Sequence, residues 1–94
     1  MPYSESGGFS YIGRARPFKK HTISFYTHPE HPQTLFFTTC ENRGEISTNS
    51  GGQIEFRGAL IKARAYVISR YMEDRSVLME KYHAIPPMKI ESSK

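Results

Sequence analysis

A long run without proline in the second half of the chain most constrains what this sequence can fold into. Residues 51–83 contain no proline and are rich in Ala, Leu, Ile, Met, Arg, Lys and Glu, all of which are compatible with a helix. Ser50 with Gln53 fits a capping box, so the helix is predicted to begin beside them. Pro86 and Pro87 cannot continue a helix and must follow its end. We therefore predict one long helix over residues 51–83.

The predicted helix is long for so small a chain. Roughly 30 helical residues would extend over about 45 Å, which is more than a small sheet can cover. One end is therefore expected to project, or the helix is expected to bend near the sequence EDRS at residues 73–76. Residues 84–94 are predicted to form an extended tail.

The first half of the chain has the patterns of β-strands. The segment HTISFYT, residues 21–27, alternates between two sets of side chains, and QTLFFTTC, residues 33–40, is dense in Thr and Phe. A short strand is predicted over residues 9–12, which Gly13 ends or bulges, and EIST, residues 45–48, adds a short fourth strand. The prolines of HPEHP separate the two central strands because they fix the backbone angle φ.

These patterns together predict an α+β fold: an antiparallel sheet of three to four strands packed against one long C-terminal helix. A chain of 94 residues can bury one modest core, so residues 1–94 are predicted to form a single domain. Within it, residues 1–8 are expected to be loose and residues 9–48 to form an antiparallel β meander.

The expected location is the cytoplasm. The longest apolar runs are a few residues, far short of the roughly 20 that span a bilayer, so we expect no membrane insertion. The first residues have neither the basic nor the apolar region of a secretory signal. The single cysteine, Cys40, cannot form an internal disulfide, which favours a reducing compartment.

Arginines interrupt the apolar stripe of the predicted helix. At 100° per residue, the ridge around Leu60, Val67 and Leu78 is predicted to pack on the sheet. A second apolar ridge lies beside it, and three arginines fall between the two. This second ridge is predicted to contact a protein partner, a second copy of the chain or a flank of this domain; the alternative is that the arginines lie along the core edge with their charged ends in water. The predicted protein-binding residues are Arg57, Ile61, Arg64, Ile68, Met72, Arg75 and Met79.

The segment YIGRARPFKKH is the best candidate for binding nucleic acid. The chain has a formal net charge of +4, which favours acidic partners. The basic side chains of this segment could contact phosphates, and Tyr11 or Phe18 could stack on a base. The alternative is a solvated basic connection that Phe18 anchors to the core. The predicted nucleic-acid-binding residues are Arg14, Arg16, Phe18, Lys19 and Lys20.

No catalytic, metal or cofactor site is predicted. His28 and His31 have the H-x-x-H spacing of zinc ligands, but no second Cys/His pair has zinc-finger spacing, so they are interpreted as surface histidines of a hairpin connection. Cys40 would need a histidine base such as His21 or His83 to act as a nucleophile. A lone cysteine at the end of a Phe- and Thr-rich strand is more typical of a buried apolar residue.

Three functional hypotheses follow, in decreasing order of support. The first is a non-catalytic interaction protein, of the kind that phages and mobile elements use as inhibitors or regulators of host nucleic-acid-processing or defence complexes. It would dock through the basic and apolar helix face. The second is a small basic nucleic-acid-binding protein, which uses RARPFKK and the helix arginines. The third is a small enzyme that uses Cys40 or the histidines.

Overall fold

A computed structural model describes residues 7–82 of the chain. Four strands are followed by two helices, and the strands form one antiparallel sheet in the order β1-β2-β3-β4. The prediction of an α+β fold with an N-terminal antiparallel meander is therefore confirmed. The elements are β1 (Ser10–Phe18), β2 (His21–His28), β3 (His31–Arg43), β4 (Ile46–Glu55), α1 (Leu60–Glu73) and α2 (Arg75–Tyr82).

The helices pack on one face of the sheet through the ridge that contains Val67 and Leu78, as the helical spacing predicted. Val67 is completely buried, and Ala63, Tyr71 and Leu78 are nearly so. These side chains contact an apolar cluster from β2, β3 and β4, whose members are Ile23, Phe25, Leu35, Phe37 and Ile54. Within residues 7–82, no helix is long and apolar enough to cross a bilayer.

The start of the helical region differs from the prediction, because residues 51–55 belong to β4. Gly51 pairs with Thr38 and Gly52 with Phe37, so the NSGG segment is part of a strand and not a helix cap. The capping-box interpretation of Ser50 and Gln53 was therefore wrong. A strand of β-branched and aromatic residues next to this segment supplies a pairing partner, which outweighs the local helix signal.

Two helices replace the single long helix that was predicted. The break lies at Asp74, whose backbone is extended (φ −163°, ψ 99°). Its N–H donates to Arg70 O at 2.9 Å, which closes α1. Its Oδ1 accepts a hydrogen bond from Val77 N at 3.2 Å, the contact of an N-cap, so the same residue begins α2. The break thus falls within the EDRS segment, and a bend there was one of the two outcomes expected for the long helix.

Strand β1 is longer and less regular than predicted. It continues from residue 10 through the basic segment to Phe18, with register shifts between Tyr11 and Gly13 and between Ala15 and Phe18. Gly13 has φ +129°, a conformation that other residues rarely adopt, so it forms the bulge that was predicted as one of two outcomes. Pro17 is tolerated because β1 is an edge strand. Every second backbone N–H of an edge strand points away from the sheet and needs no partner there.

Residues 1–6 and 83–94 lie outside the described part of the chain. The predictions of a loose N-terminus and of an extended tail over residues 84–94 therefore remain untested, apart from Gly7 and Gly8. The role of His83 as a possible base falls in the same category.

Candidate functional site

The bulge in β1 brings an aromatic and a basic side chain, Tyr11 and Arg14, onto one face of the sheet. Tyr11 pairs with Tyr26 and Arg14 with Ser24, whereas Ile12 and Gly13 together oppose Phe25. Phe25 faces the helices, so Tyr11 and Arg14 both lie on the opposite face. In a regular strand, residues 11 and 14 would point to opposite faces.

The same face continues along β1 with a third side chain and ends in a basic turn. Arg16 follows Ala15, which packs towards the core, and therefore points away from the helices. Lys19 and Lys20 form the turn to β2. All four cations are exposed, and none forms an ion pair within residues 7–82. Their charge is therefore available to a ligand.

Tyr11 is the exposed aromatic of this surface. Its side chain is 43% exposed, and its ring makes an edge contact with Tyr26 at a centroid distance of 5.6 Å. Tyr26 itself is buried in a second apolar cluster with Phe9 and Phe36, on the sheet face away from the helices. Burial raises the pKa of the Tyr26 hydroxyl. Tyr11 thus has a fixed aromatic support on one side and solvent on the other.

Phe18, the other predicted stacking residue, lies on the helix side of the sheet. Its ring is 5.4 Å from the His21 ring and 6.2 Å from the Tyr71 ring, and 42% of the residue is exposed. Phe18 therefore covers one end of the core, as the alternative interpretation of the basic segment required. It is not on the face that carries Tyr11, Arg14 and Arg16.

The three arginines that were predicted to lie on the helix have different surroundings. Arg57 precedes α1, so its placement on the helix was wrong. Arg64 places its guanidinium carbon 5.2 Å from the centroid of Phe25, and its Nε is buried without a hydrogen-bond partner. Arg75 contacts Glu41 at 3.5 Å, and Arg57 is exposed beyond the end of β4. Arg64 and Arg75 therefore lie along the edge of the core, as the second interpretation of the arginine stripe predicted.

Arg64 is also next to the β1 bulge. A Cβ atom built on Gly13 would lie 3.5 Å from an Arg64 terminal nitrogen. The guanidinium therefore lies against the bulged backbone at the edge of the sheet, one residue away from Arg14. The structure thus places a helix arginine beside the basic strand, two groups that the nucleic-acid-binding hypothesis used together.

The second apolar ridge of the helix is partly exposed. Ile61 and Met72 are 71% and 51% exposed, whereas Ile68 and Met79 pack partly against the core. Met72 thus faces away from the sheet as expected, and Ile68 lies at the boundary. Because Ile61 and Met72 are exposed in the monomer whereas Val67 is completely buried, the ridge is accessible to a partner.

A polar network that the sequence did not reveal lies under the helices at the other end of the sheet. The Tyr71 hydroxyl is 2.6 Å from His21 Nδ1, and Glu41 accepts a hydrogen bond from Arg43 Nε at 2.7 Å. The hydrogen bond from Arg43 lowers the pKa of Glu41, and burial raises the pKa of Tyr71. Tyr71 is 1% exposed, so its hydroxyl is in no position to meet a substrate. We interpret the network as structural.

Cys40 and His21 do not face each other. His21 pairs with Glu41 on the helix side of the sheet, and Cys40 therefore points to the other face. Strand register, which cannot be read from one strand alone, separates these two side chains. The arrangement gives no support to a Cys40–His21 nucleophile and base pair.

The HPEHP segment forms a hairpin with a two-residue turn, because His28 pairs with His31. Donor atoms of His28, Glu30 and His31 lie within 4.8 Å of one another, which is close enough for a metal ion. Both ring nitrogens of His28 are already used, however. Nε2 donates to Gly7 O at 3.2 Å, and Nδ1 accepts from Glu30 N at 3.1 Å. A metal would have to break these bonds, so the segment is better explained as a closed hairpin.

A groove of about 680 Å³ lies at the β4 edge of the sheet, opposite the edge that β1 forms. It runs between the outer edge of β4 and the two helices. Aromatic rings form much of its wall, and lysine and arginine side chains surround it. The principal lining residues are Ile54, Phe56, Arg57, Lys62, Tyr66 and Tyr82.

Comparisons with known proteins add nothing to this description. No protein-family model matches the chain, and neither a curated protein nor a solved structure is significantly similar to it.

Proposed function

We propose that this chain is a small non-catalytic protein that binds single-stranded nucleic acid through the exposed face of β1. We call this the β1 surface; it consists of Tyr11, Arg14, Arg16, Lys19 and Lys20. The observation that carries the proposal is the bulge at Gly13. It places an aromatic ring and two arginines in sequence on one face, where no described carboxylate neutralises them.

The chemistry of the β1 surface suits a flexible polyanion. Arginine recognises phosphate with a planar fork of donors, and neighbouring outward positions on a strand are roughly 6.6 Å apart, so Arg14 and Arg16 can contact separate phosphates. The exposed ring of Tyr11 is held against Tyr26 and can stack on an unpaired base. A duplex would offer Tyr11 no accessible base face, which is why a single strand is the better ligand.

Arg64 extends this surface around the edge of β1. Its guanidinium lies against Gly13 and has no carboxylate partner within the described residues. Buried polar groups are normally hydrogen-bonded, so the unpartnered Nε is unusual. A phosphate that approaches the bulge would lie near both Arg64 and Arg14.

The test is the salt dependence of binding to a labelled oligothymidylate of about 12 nucleotides, followed by fluorescence anisotropy. The slope of log K against log salt is negative, and its magnitude should decrease by roughly 0.7 for each phosphate contact that is removed. Arg14→Gln and Arg16→Gln should each have this effect, and Tyr11→Ala should weaken binding by roughly 5- to 150-fold, corresponding to about 1–3 kcal/mol of stacking.

Arg70→Gln is the matched control, because Arg70 carries the same charge, is paired with Glu73 at 2.8 Å and lies on the helices. It should leave the slope unchanged. Equal effects of Arg70→Gln and Arg16→Gln would show that only net charge matters. Absence of binding at low salt would refute the proposal.

A protein partner is the second candidate, and the exposed part of the helix ridge favours it. Ile61 and Met72 lie three turns apart on one side of α1, and both are more than half exposed. Such a contact fits an inhibitor or regulator that docks on a nucleic-acid-processing complex. If so, Met72→Glu should abolish capture of the partner from host extract and leave the protein folded.

A further inference from the structure

The groove beside β4 combines apolar walls with a basic rim. Ile54 and Ala63 line its base, and the rings of Tyr66 and Tyr82 meet edge to face with centroids 6.4 Å apart. Their hydroxyl oxygens are 3.3 Å apart, so the two rings are held together as one wall. This surface is apolar enough to hold side chains of a ligand and is open to solvent along its length.

The charges around the groove are predominantly positive. Arg57, Lys62 and Lys81 line it, and none of the three forms an ion pair within residues 7–82. Glu55 is the one carboxylate among the described residues that line it. The Lys81 Nζ lies 5.5 Å from the ring centroid of Tyr82, so charge and aromatic surface are adjacent. The groove therefore favours a ligand that is both apolar and acidic.

One wall of the groove is an unpaired strand edge. In the described part of the chain, β4 pairs with β3 and with no strand on its other side. Phe56 N donates to Gln33 O at 2.8 Å, so the N–H of Phe56 points towards β3. Because N–H directions alternate along a strand, those of Gln53 and Glu55 point outward, beside the groove. A ligand at this edge meets backbone N–H donors and carbonyl acceptors in alternation.

We propose that this groove binds an extended acidic segment of a partner protein, which adds to the outer edge of β4 as a fifth strand. Backbone hydrogen bonds to Gln53 and Glu55 would give affinity, and alternate apolar side chains would pack against the wall that Tyr66 and Tyr82 form. Lys62 and Lys81, which line the groove, would attract the negative charge of the segment. This site lies at the edge of the sheet opposite the β1 surface, so the proposal is independent of the function proposed above.

A peptide fits the groove better than the other acidic ligand class, nucleic acid. The outward groups of β4 offer both N–H donors and carbonyl acceptors, a pattern that another peptide backbone matches along its whole length. A phosphate backbone carries acceptors only and would leave the carbonyl groups of β4 unpaired. The apolar base at Ile54 and Ala63 also has no counterpart in a phosphate chain.

The test uses a fluorescein-labelled ten-residue peptide of alternating Glu and Leu and measures its binding by anisotropy. Glu55→Pro removes an outward N–H without removing a bond to β3, and edge strands tolerate proline at such a position. Binding should weaken at least tenfold. Glu55→Ala keeps the N–H and removes the same carboxylate, so it should bind as well as the natural protein or better.

Two further arms make the outcome decisive. Lys62→Glu with Lys81→Glu should weaken binding at least tenfold, whereas Lys19→Glu with Lys20→Glu should change it less than twofold. A peptide with N-methylated residues at alternate positions should not bind, which keeps the test valid if Glu55→Pro fails to fold.

Equal affinities of Glu55→Pro and Glu55→Ala, together with binding of the N-methylated peptide, would overturn strand addition. Displacement of the peptide by oligothymidylate from the protein that carries Arg14→Gln and Arg16→Gln would assign the groove to nucleic acid instead. Loss of oligonucleotide binding in that protein, with peptide binding retained, would support both proposals as separate sites.

Discussion

Replacement of Gly52 by alanine should destabilise the protein, although glycine is normally the weaker residue in a strand. A Cβ at this position would lie 2.6 Å from Cε2 of Phe37 and closer still to its Cζ. Phe37 is completely buried, so its ring has little freedom to move away. Forcing extra volume into a packed core costs about 1–3 kcal/mol. Alanine loses less conformational entropy than glycine on folding, which offsets about 0.5–1 kcal/mol of this cost. The difference between these ranges is about 0–2.5 kcal/mol, and because the Phe37 ring is completely buried we expect a net loss of about 1–2 kcal/mol.

Thermal and urea unfolding followed by circular dichroism measure this loss. For a domain of this size, it corresponds to a decrease in Tm of roughly 5–15 °C. The urea midpoint should fall with an unchanged m value, since the native and unfolded surfaces hardly change. A midpoint equal to or above that of the natural protein would refute the conclusion that the Phe37 ring fills the space over Gly52.

A double-mutant cycle separates this clash from any general effect on β4. Phe37→Leu removes the ring atoms that a Cβ at position 52 would meet and destabilises the core by itself. In that background, Gly52→Ala should be neutral or stabilising, which gives a coupling free energy of about 1 kcal/mol or more. Additive effects of the two substitutions would show that the cost at position 52 comes from elsewhere.

Two further predictions concern the helices. Ile68→Glu should lower the unfolding temperature because Ile68 packs partly against the core, whereas Met72→Glu should leave it nearly unchanged; equal losses on thermal unfolding would show that both belong to the core. Tyr71→Phe removes the 2.6 Å contact with His21 and should cost about 1–2 kcal/mol in urea unfolding at pH 8. Because burial raises the pKa of Tyr71, its contribution is present below about pH 10 and is lost as pH rises further. The difference in unfolding free energy between the natural protein and Tyr71→Phe should therefore shrink from pH 8 to pH 11, and a difference that grows would contradict this assignment.

The sequence predicted the inner face of the helices well because helical spacing alone determines it. Leu60, Val67 and Leu78 were expected to face the sheet; Val67 and Leu78 are buried, and Leu60 packs partly against the core. The bend near Asp74 also followed from local information, since the predicted helix was too long for the sheet and Asp is a favoured N-cap.

Features that depend on pairing between distant residues were missed. The NSGG segment has the residues of a helix start, and only the neighbouring β3 strand makes it part of β4. Gly52 then has a role that no local rule gives, because it leaves room for the ring of Phe37. The contact between Glu41 and Arg75 likewise joins residues far apart in the chain.

The candidate site was predicted in composition but not in geometry. The basic residues of β1 were identified from the sequence, yet their common face with Tyr11 depends on a bulge whose position the sequence left open. Phe18 was assigned to the same surface and lies on the other side. The groove beside β4 could not be predicted, because it exists only once β4 reaches Glu55 and the helix begins at Leu60.

The irregularity of β1 also limits how this protein can assemble. Two register shifts and Pro17 make that edge a poor template for another strand, whereas the outer edge of β4 is regular. A sheet that can grow from one edge alone cannot join copies head to tail, so it cannot build a fibre by repeated strand addition. Self-association through β4 would have to be symmetric and would stop at two chains. High concentrations should therefore yield dimers at most by this route, and an added partner strand would block even those.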